Sequence, residues 1–212
     1  MYKPRLDQLA DGIFAIVMTL LVLQLHIPQL PGTVTNADLL LSLQALVPIF
    51  LSYILSFLVL ITYWIAHHYM MSLIAQNLTR TLTYLNVPFL MTIALIPFSA
   101  YLLGTYFYTQ VAIMIYGLNV LLIGFSLLLI SHYVIVSPEI STNPAFTVQD
   151  FRIGYLRTLI PPIGALIAIV VGFYNPWLSI VLFIFSILVN LIPGSLHFIL
   201  RLLGFEKSTP VS

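Results

Sequence analysis

The chain has 212 residues, of which 61% are hydrophobic and only 6% charged, with a mean hydropathy of +1.10 and a formal net charge of +1. Soluble domains carry roughly a quarter charged residues, so this composition identifies an integral membrane protein; it offers no basic surface for nucleic acid and no cationic cluster for gathering anionic lipid. Cysteine is absent, which excludes disulfides, thiol switching and cysteine-based metal sites.

Six apolar stretches reach the ~20 residues that a helix needs to cross a ~30 Å hydrocarbon core. They fall at approximately 8–27, 40–68, 81–103, 108–135, 153–173 and 176–202. The expected fold class is all-α, a single transmembrane domain over residues 1–212. The longest stretch without a spanning pattern, Ile135 to Phe151, is far shorter than the ~50 residues of a domain.

The first stretch reads as a retained helix. Lys3 and Arg5 resemble the basic start of a signal peptide, but the apolar run is too long and ends in HIPQLPG without a small-x-small cleavage site. Within it Ile16, Leu20 and Leu23 fall at i, i+4 and i+7 and form an aliphatic stripe, with Thr19 one turn above Ile16 beside it. Taken alone, such a stripe faces lipid or core. Asp11, in the first turn, either complements the helix dipole and pairs with Arg5, or serves as a buried anchor in a polar cluster at the cytoplasmic end or as part of a cation entrance.

In the second span Pro48 marks a kink or a late start. Trp64 and His67 stand at i, i+3, followed by His68, and such donors need partners in lipid. Asn86 on the third span can meet them. Arg5, Asp11, Trp64, His67 and Asn86 thus form a candidate structural cluster that locks helices one to three. Aromatic residues near span ends, including Tyr63, Trp64, Tyr69, Tyr101, Tyr106, Tyr108, Tyr174 and Trp177, read as interfacial belts. In the fifth span Gly164, Ala168 and Gly172 make a small-residue stripe for close helix approach. Pro161 and Pro162 are expected to kink its start, and Pro193 the end of the sixth. His132 and His197 stand alone.

Every cation falls on one side of this six-span arrangement: Lys3 and Arg5, then Arg80, then Arg152 and Arg157, then Arg201 and Lys207. The opposite loops carry only Asp38. The positive-inside rule therefore places both termini in the cytoplasm of a multi-pass protein of the cell membrane.

The segment R-x-x-x-L-A-D-G-I-F-A-I from Arg5 to Ile16 resembles the R-x-x-x-F-S-D-G motif that opens helix one in the TMEM175 family of potassium channels. Y-W-x-x-H-H from Tyr63 to His68, L-N-x-x-F-L from Leu85 to Leu90 and A-L-I-P-F from Ala94 to Phe98 extend the likeness. It covers helices one to three well and the remainder by topology. Leu9 stands where the family has Phe and Ala10 where it has Ser, so no role of that hydroxyl transfers.

The resemblance implies a homotetramer of single-repeat subunits in a prokaryotic plasma membrane, with helix one lining a central pore for K+ and no cofactor or metal. By position relative to Asp11, the family's pore constriction maps onto Ile16, Leu20 and Leu23, and its pore threonine onto Thr19. There is no T-V-G-Y-G filter element. The rival from another class is a secondary transporter of a small solute or ion, which calls for inverted repeats, broken helices and, for proton coupling, an intramembrane carboxylate. An enzyme is not expected, since no HExxH, paired spanning aspartates or GxSxG-like context is present.

Overall fold

The structure is a computed structural model that describes residues 3–27, 32, 34–145 and 148–192. Its elements are helical: α1 (Lys3–Leu21), α2 (Asn36–Ala45), α3 (Val47–His68), α4 (Arg80–Ala94), α5 (Ile96–Thr105), α6 (Gln110–Val136), α7 (Val148–Gly172) and α8 (Pro176–Leu191). A 3-10 turn (Val22–Gln24) extends α1, and a π-helical turn (Tyr69–Ile74) extends α3.

Five helical segments are long and apolar enough to cross a membrane: Pro4–Gln24, Val47–Ser72, Arg80–Thr105, Gln110–Val136 and Gly154–Gly172. Pro176–Leu191 is apolar but shorter. The expected end of the sixth span beyond Ile192, with Pro193, His197, Arg201 and Lys207, lies outside the described residues.

Two of the expected spans are divided. The second does not run from 40: α2 ends at Ala45, and α3 starts at Val47 with Pro48 in its first turn. The third divides at Leu95, where Pro97 opens α5. Proline lacks the N–H that an interior position donates and disfavours helix in the residue before it, so each X-Pro step restarts the helix. By contrast α7 runs unbroken through Pro161 and Pro162. Short polar side chains fix the starts: Thr35, Thr79, Thr109 and Asn175 each accept a hydrogen bond from a backbone N–H three residues on.

α6 is central, packing on α4, α5 and α7, while α7 also packs on α8 and α1 lies against α3, α4 and α5. Close approach of α7 rests on missing side chains. A Cβ at Gly124 of α6 would run into Pro162, and one at Gly164 into Ser186 of α8. Ala168 of the same stripe is fully buried, and its carbonyl accepts from the Ser179 hydroxyl at 2.8 Å. Tyr63 is not part of an interfacial belt: it is buried in the core, where its hydroxyl donates to the Val120 carbonyl at 3.2 Å. A carbonyl inside a helix keeps a second lone pair beyond its intrahelical bond, and a phenol buried in the bundle can use it.

The basic end of the bundle is closed by two loops tied together. Ala75 bridges Thr142, and Asn77 both donates to the Glu139 carbonyl (2.7 Å) and accepts from the Ser141 N–H (2.7 Å).

Candidate functional site: the exposed face of the first helix and its anchor

α1 divides along its length. Leu6, Ala10, Phe14, Val17 and Leu21 are buried against the bundle. The opposite face is exposed and carries Leu9, Gly12, Ala15, Ile16, Thr19, Leu20 and Leu23. Ile16 is 60% exposed, Leu20 43% and Leu23 70%. The three aliphatics of the stripe therefore share an outward face, with Thr19 among them. The Thr19 hydroxyl donates to the Ile16 carbonyl at 2.8 Å. Its proton is thereby held by the helix, and its oxygen lone pairs are left to face away from it.

Gln24, at the end of this segment, turns the other way. It is buried, its amide N–H donates to the Pro97 carbonyl, and its Oε1 has no partner among the described residues. It belongs to the α1–α5 contact and takes no place beside Thr19.

The anchor that holds this face outward sits at the basic end. The Trp64 indole N–H donates to the Asp11 carboxylate at 2.8 Å, joining α1 to α3. His67 and Asn86, both buried, are 2.7 Å apart and join α3 to α4. The Asn86 amide N–H donates to the Leu82 carbonyl at 2.8 Å, so its oxygen is the acceptor and His67 Nε2 carries the proton in this pair. His67 stacks on Phe89 at 4.9 Å between ring centres, and Phe14 of α1 packs on both rings. Trp64 in turn stacks on His68 at 5.7 Å.

Four of the five residues of the expected cluster are thus brought together as two pairs. Arg5 is exposed and has no hydrogen bond or ion pair with Asp11 among the described residues. Six residues apart on one helix, the two side chains leave on different faces, whereas i, i+3 or i, i+4 spacing is needed to meet. Sequence reasoning passed over Phe14, Phe89 and Asp7. The first two are i+3 from Asp11 and Asn86, which places each aromatic on the face of its polar anchor. Asp7, i−4 from Asp11, is partly buried, with one oxygen 3.5 Å from the Ser72 hydroxyl and the other buried without a partner among the described residues. Ala10, where the family has serine, is buried and contributes packing alone.

Comparison with known proteins places this arrangement. The sequence profile of the family described as "Endosomal/lysosomal potassium channel TMEM175" matches residues 5–97, the part of the chain that holds α1, the anchor and the α4–α5 break. A potassium channel of Chryseobacterium sp. is 24% identical over 193 residues, covering 91% of this chain and 94% of that one. A potassium channel of Chamaesiphon minutus is 36% identical over 102 residues, which is 48% of this chain and about half (49%) of that relative's length. The crystal structure of a lysosomal potassium-selective channel TMEM175 homolog from Chamaesiphon minutus superposes with a TM-score of 0.73 at 26% identity, covering 94% of this chain and 97% of that one. The chain is thus similar to the TMEM175 family in sequence over residues 5–97, and to a bacterial TMEM175 homolog in fold over nearly its whole length.

Proposed function

We propose that the protein is a potassium-selective cation channel in which four copies of α1 surround a central pore. The observation that carries this reading is the outward face of α1: Ile16, Leu20 and Leu23 stand exposed on the helix that the family profile matches, held there by the Asp11–Trp64 bond. A homotetramer of six-span subunits with both termini in the cytoplasm gives that face a common axis.

Rings of four isoleucines and leucines form a narrow apolar constriction that holds few waters. Such a constriction gates by dewetting, and an ion crosses it only when the gap widens or part of its hydration shell is lost. Four Thr19 hydroxyls, their protons directed to the Ile16 carbonyls, present lone pairs to the axis at this point. They replace part of the lost water and favour K+, the more easily dehydrated ion, over Na+, so the preference is moderate. Conduction is passive, with K+ as the permeant ion and no cofactor. Asp11, Trp64, His67 and Asn86 act structurally: they position α1 and do not contact the ion.

The test is a bi-ionic measurement on purified protein in a planar bilayer, with K+ on one side and Na+ on the other. The current is expected to reverse toward the K+ equilibrium potential. Absence of current together with solute-driven or proton-driven flux contradicts the channel reading in favour of a transporter.

A further inference from the structure

A pocket of about 290 Å³ opens between α3, α6, α7 and α8, near the end of the bundle that carries Arg80. Arg157 and Asn190 line it together with the hydroxyls of Thr62, Ser131 and Thr158. Arg5 and Arg80 are exposed, whereas Arg157 is half-buried and its Nε is buried without a partner among the described residues. A guanidinium at the edge of a hydrocarbon layer is costly unless it is hydrated or paired, and its planar fork matches the oxygens of a phosphate. The neighbouring polar groups answer to the backbone: Thr62, Ser131 and Thr158 donate to carbonyls one turn back on their own helices, and Asn190 donates to the Arg157 carbonyl at 2.9 Å. None of these bonds neutralises the cation. The volume is at the low end of small-molecule sites, enough for a headgroup.

We propose that this pocket binds a phosphate anion through Arg157, as a phospholipid headgroup entering from the bilayer or as free phosphate. This is a single guanidinium in a pocket, distinct from the many-lysine surfaces that gather anionic lipid by net charge, and it lies apart from the α1 face. Gly154, on the pocket wall one turn before Thr158, leaves the space open: a Cβ there meets nothing within 4 Å.

The experiment measures binding of short-chain dioctanoyl phosphatidylglycerol to the purified full-length chain in detergent, with dioctanoylglycerol as the phosphate-free probe. Saturable binding of the phospholipid but not of dioctanoylglycerol is expected, and Arg157→Gln is expected to weaken it by about tenfold or more, the loss of a charge-assisted hydrogen bond. Gly154→Leu tests the site with the charge intact; leucine suits a helix better than glycine, so the fold is retained while the pocket is filled. It is expected to weaken binding similarly, with unchanged elution on gel filtration. Competition by inorganic phosphate assigns the site to the free anion, and failure of phosphate to compete assigns it to the lipid. Equal binding by the wild type and Gly154→Leu, or equal binding of dioctanoylglycerol and the phospholipid, would overturn the proposal.

Discussion

α1 and α6 are both long apolar helices with one buried and one exposed face, yet the exposed faces differ in kind. On α6 it carries Val111, Met114, Leu118, Leu122, Phe125 and Leu129, all of them large and apolar, with His132 exposed one turn further toward the helix end. On α1 the same kind of face is interrupted by Gly12, Ala15 and Thr19. Lipid tails accept any large apolar side chain, so the α6 pattern needs nothing beyond a bilayer. Small residues permit close approach of another helix, and a hydroxyl is useful where water or an ion passes. Exposure in a single subunit therefore does not separate lipid from pore; on the proposed reading, the residues that occupy the exposed face do.

The widest separation between the two helices comes from one substitution made in both. Ile123 of α6 is fully buried, so Ile123→Asn places an unpaired amide in the core and removes a packed aliphatic. It is expected to cost about 3 kcal/mol or more and to abolish recovery of folded protein. Ile16→Asn, at an exposed position, is expected to change subunit stability by less than about 0.5 kcal/mol while raising conductance and relaxing the gate. Currents and thermal stability measured on both variants check this, and an unchanged current with Ile16→Asn removes that residue from the constriction.

Next in size is the anchor. Asp11→Ala removes a charge-assisted bond worth about 1.5–3 kcal/mol and leaves the Trp64 N–H unpaired. The expected outcome is less assembled protein on gel filtration, with the reversal potential of the remaining channels unchanged. Smaller still is Thr19→Val, which keeps shape and removes the lone pairs. It is expected to reduce the K+ over Na+ preference with little change in stability, and an intact preference excludes the hydroxyl as a determinant.

The smallest effect lies outside the membrane, at the start of α2. Hydrogen bonds from the Thr35 hydroxyl and backbone N–H to the Asp38 carboxylate hold its pKa below the ordinary 3.8. The capping box is complete above that ordinary value and is lost as pH falls through the lowered one. Amide exchange in α2 is expected to accelerate only in that acid range, and Asp38→Ala to remove the pH dependence.

Much of this architecture was legible before any coordinates, because hydropathy over ~20 residues reports the bilayer directly. Asp11, Trp64, His67 and Asn86 were also legible, since donors and acceptors at helical spacing in apolar runs must find one another. What escaped depends on faces and partners. Gln24 follows Leu23 by one residue yet points into the bundle, and nothing in its own neighbourhood identifies the Pro97 carbonyl as its partner. Tyr63 and Trp64 are neighbours of one chemical type near one helix end, but the first is in the core and the second at the anchor. The breaks at Leu46 and Leu95 precede Pro48 and Pro97, whereas Pro161 and Pro162 leave α7 unbroken, so proline alone does not determine where a helix restarts.

The most direct measurement exploits the absence of cysteine from the chain. Leu20→Cys on α1 and Leu122→Cys on α6 each introduce a single thiol at an exposed apolar position of similar accessibility, 43% in both cases. Silver ion, a small monovalent thiol-reactive cation, is applied to each variant in a bilayer while K+ current is recorded. Rapid, irreversible block of Leu20→Cys with Leu122→Cys unaffected is the predicted result. Silver-resistant current through Leu20→Cys, or equal block of the two, would contradict a pore lined by the outward face of α1.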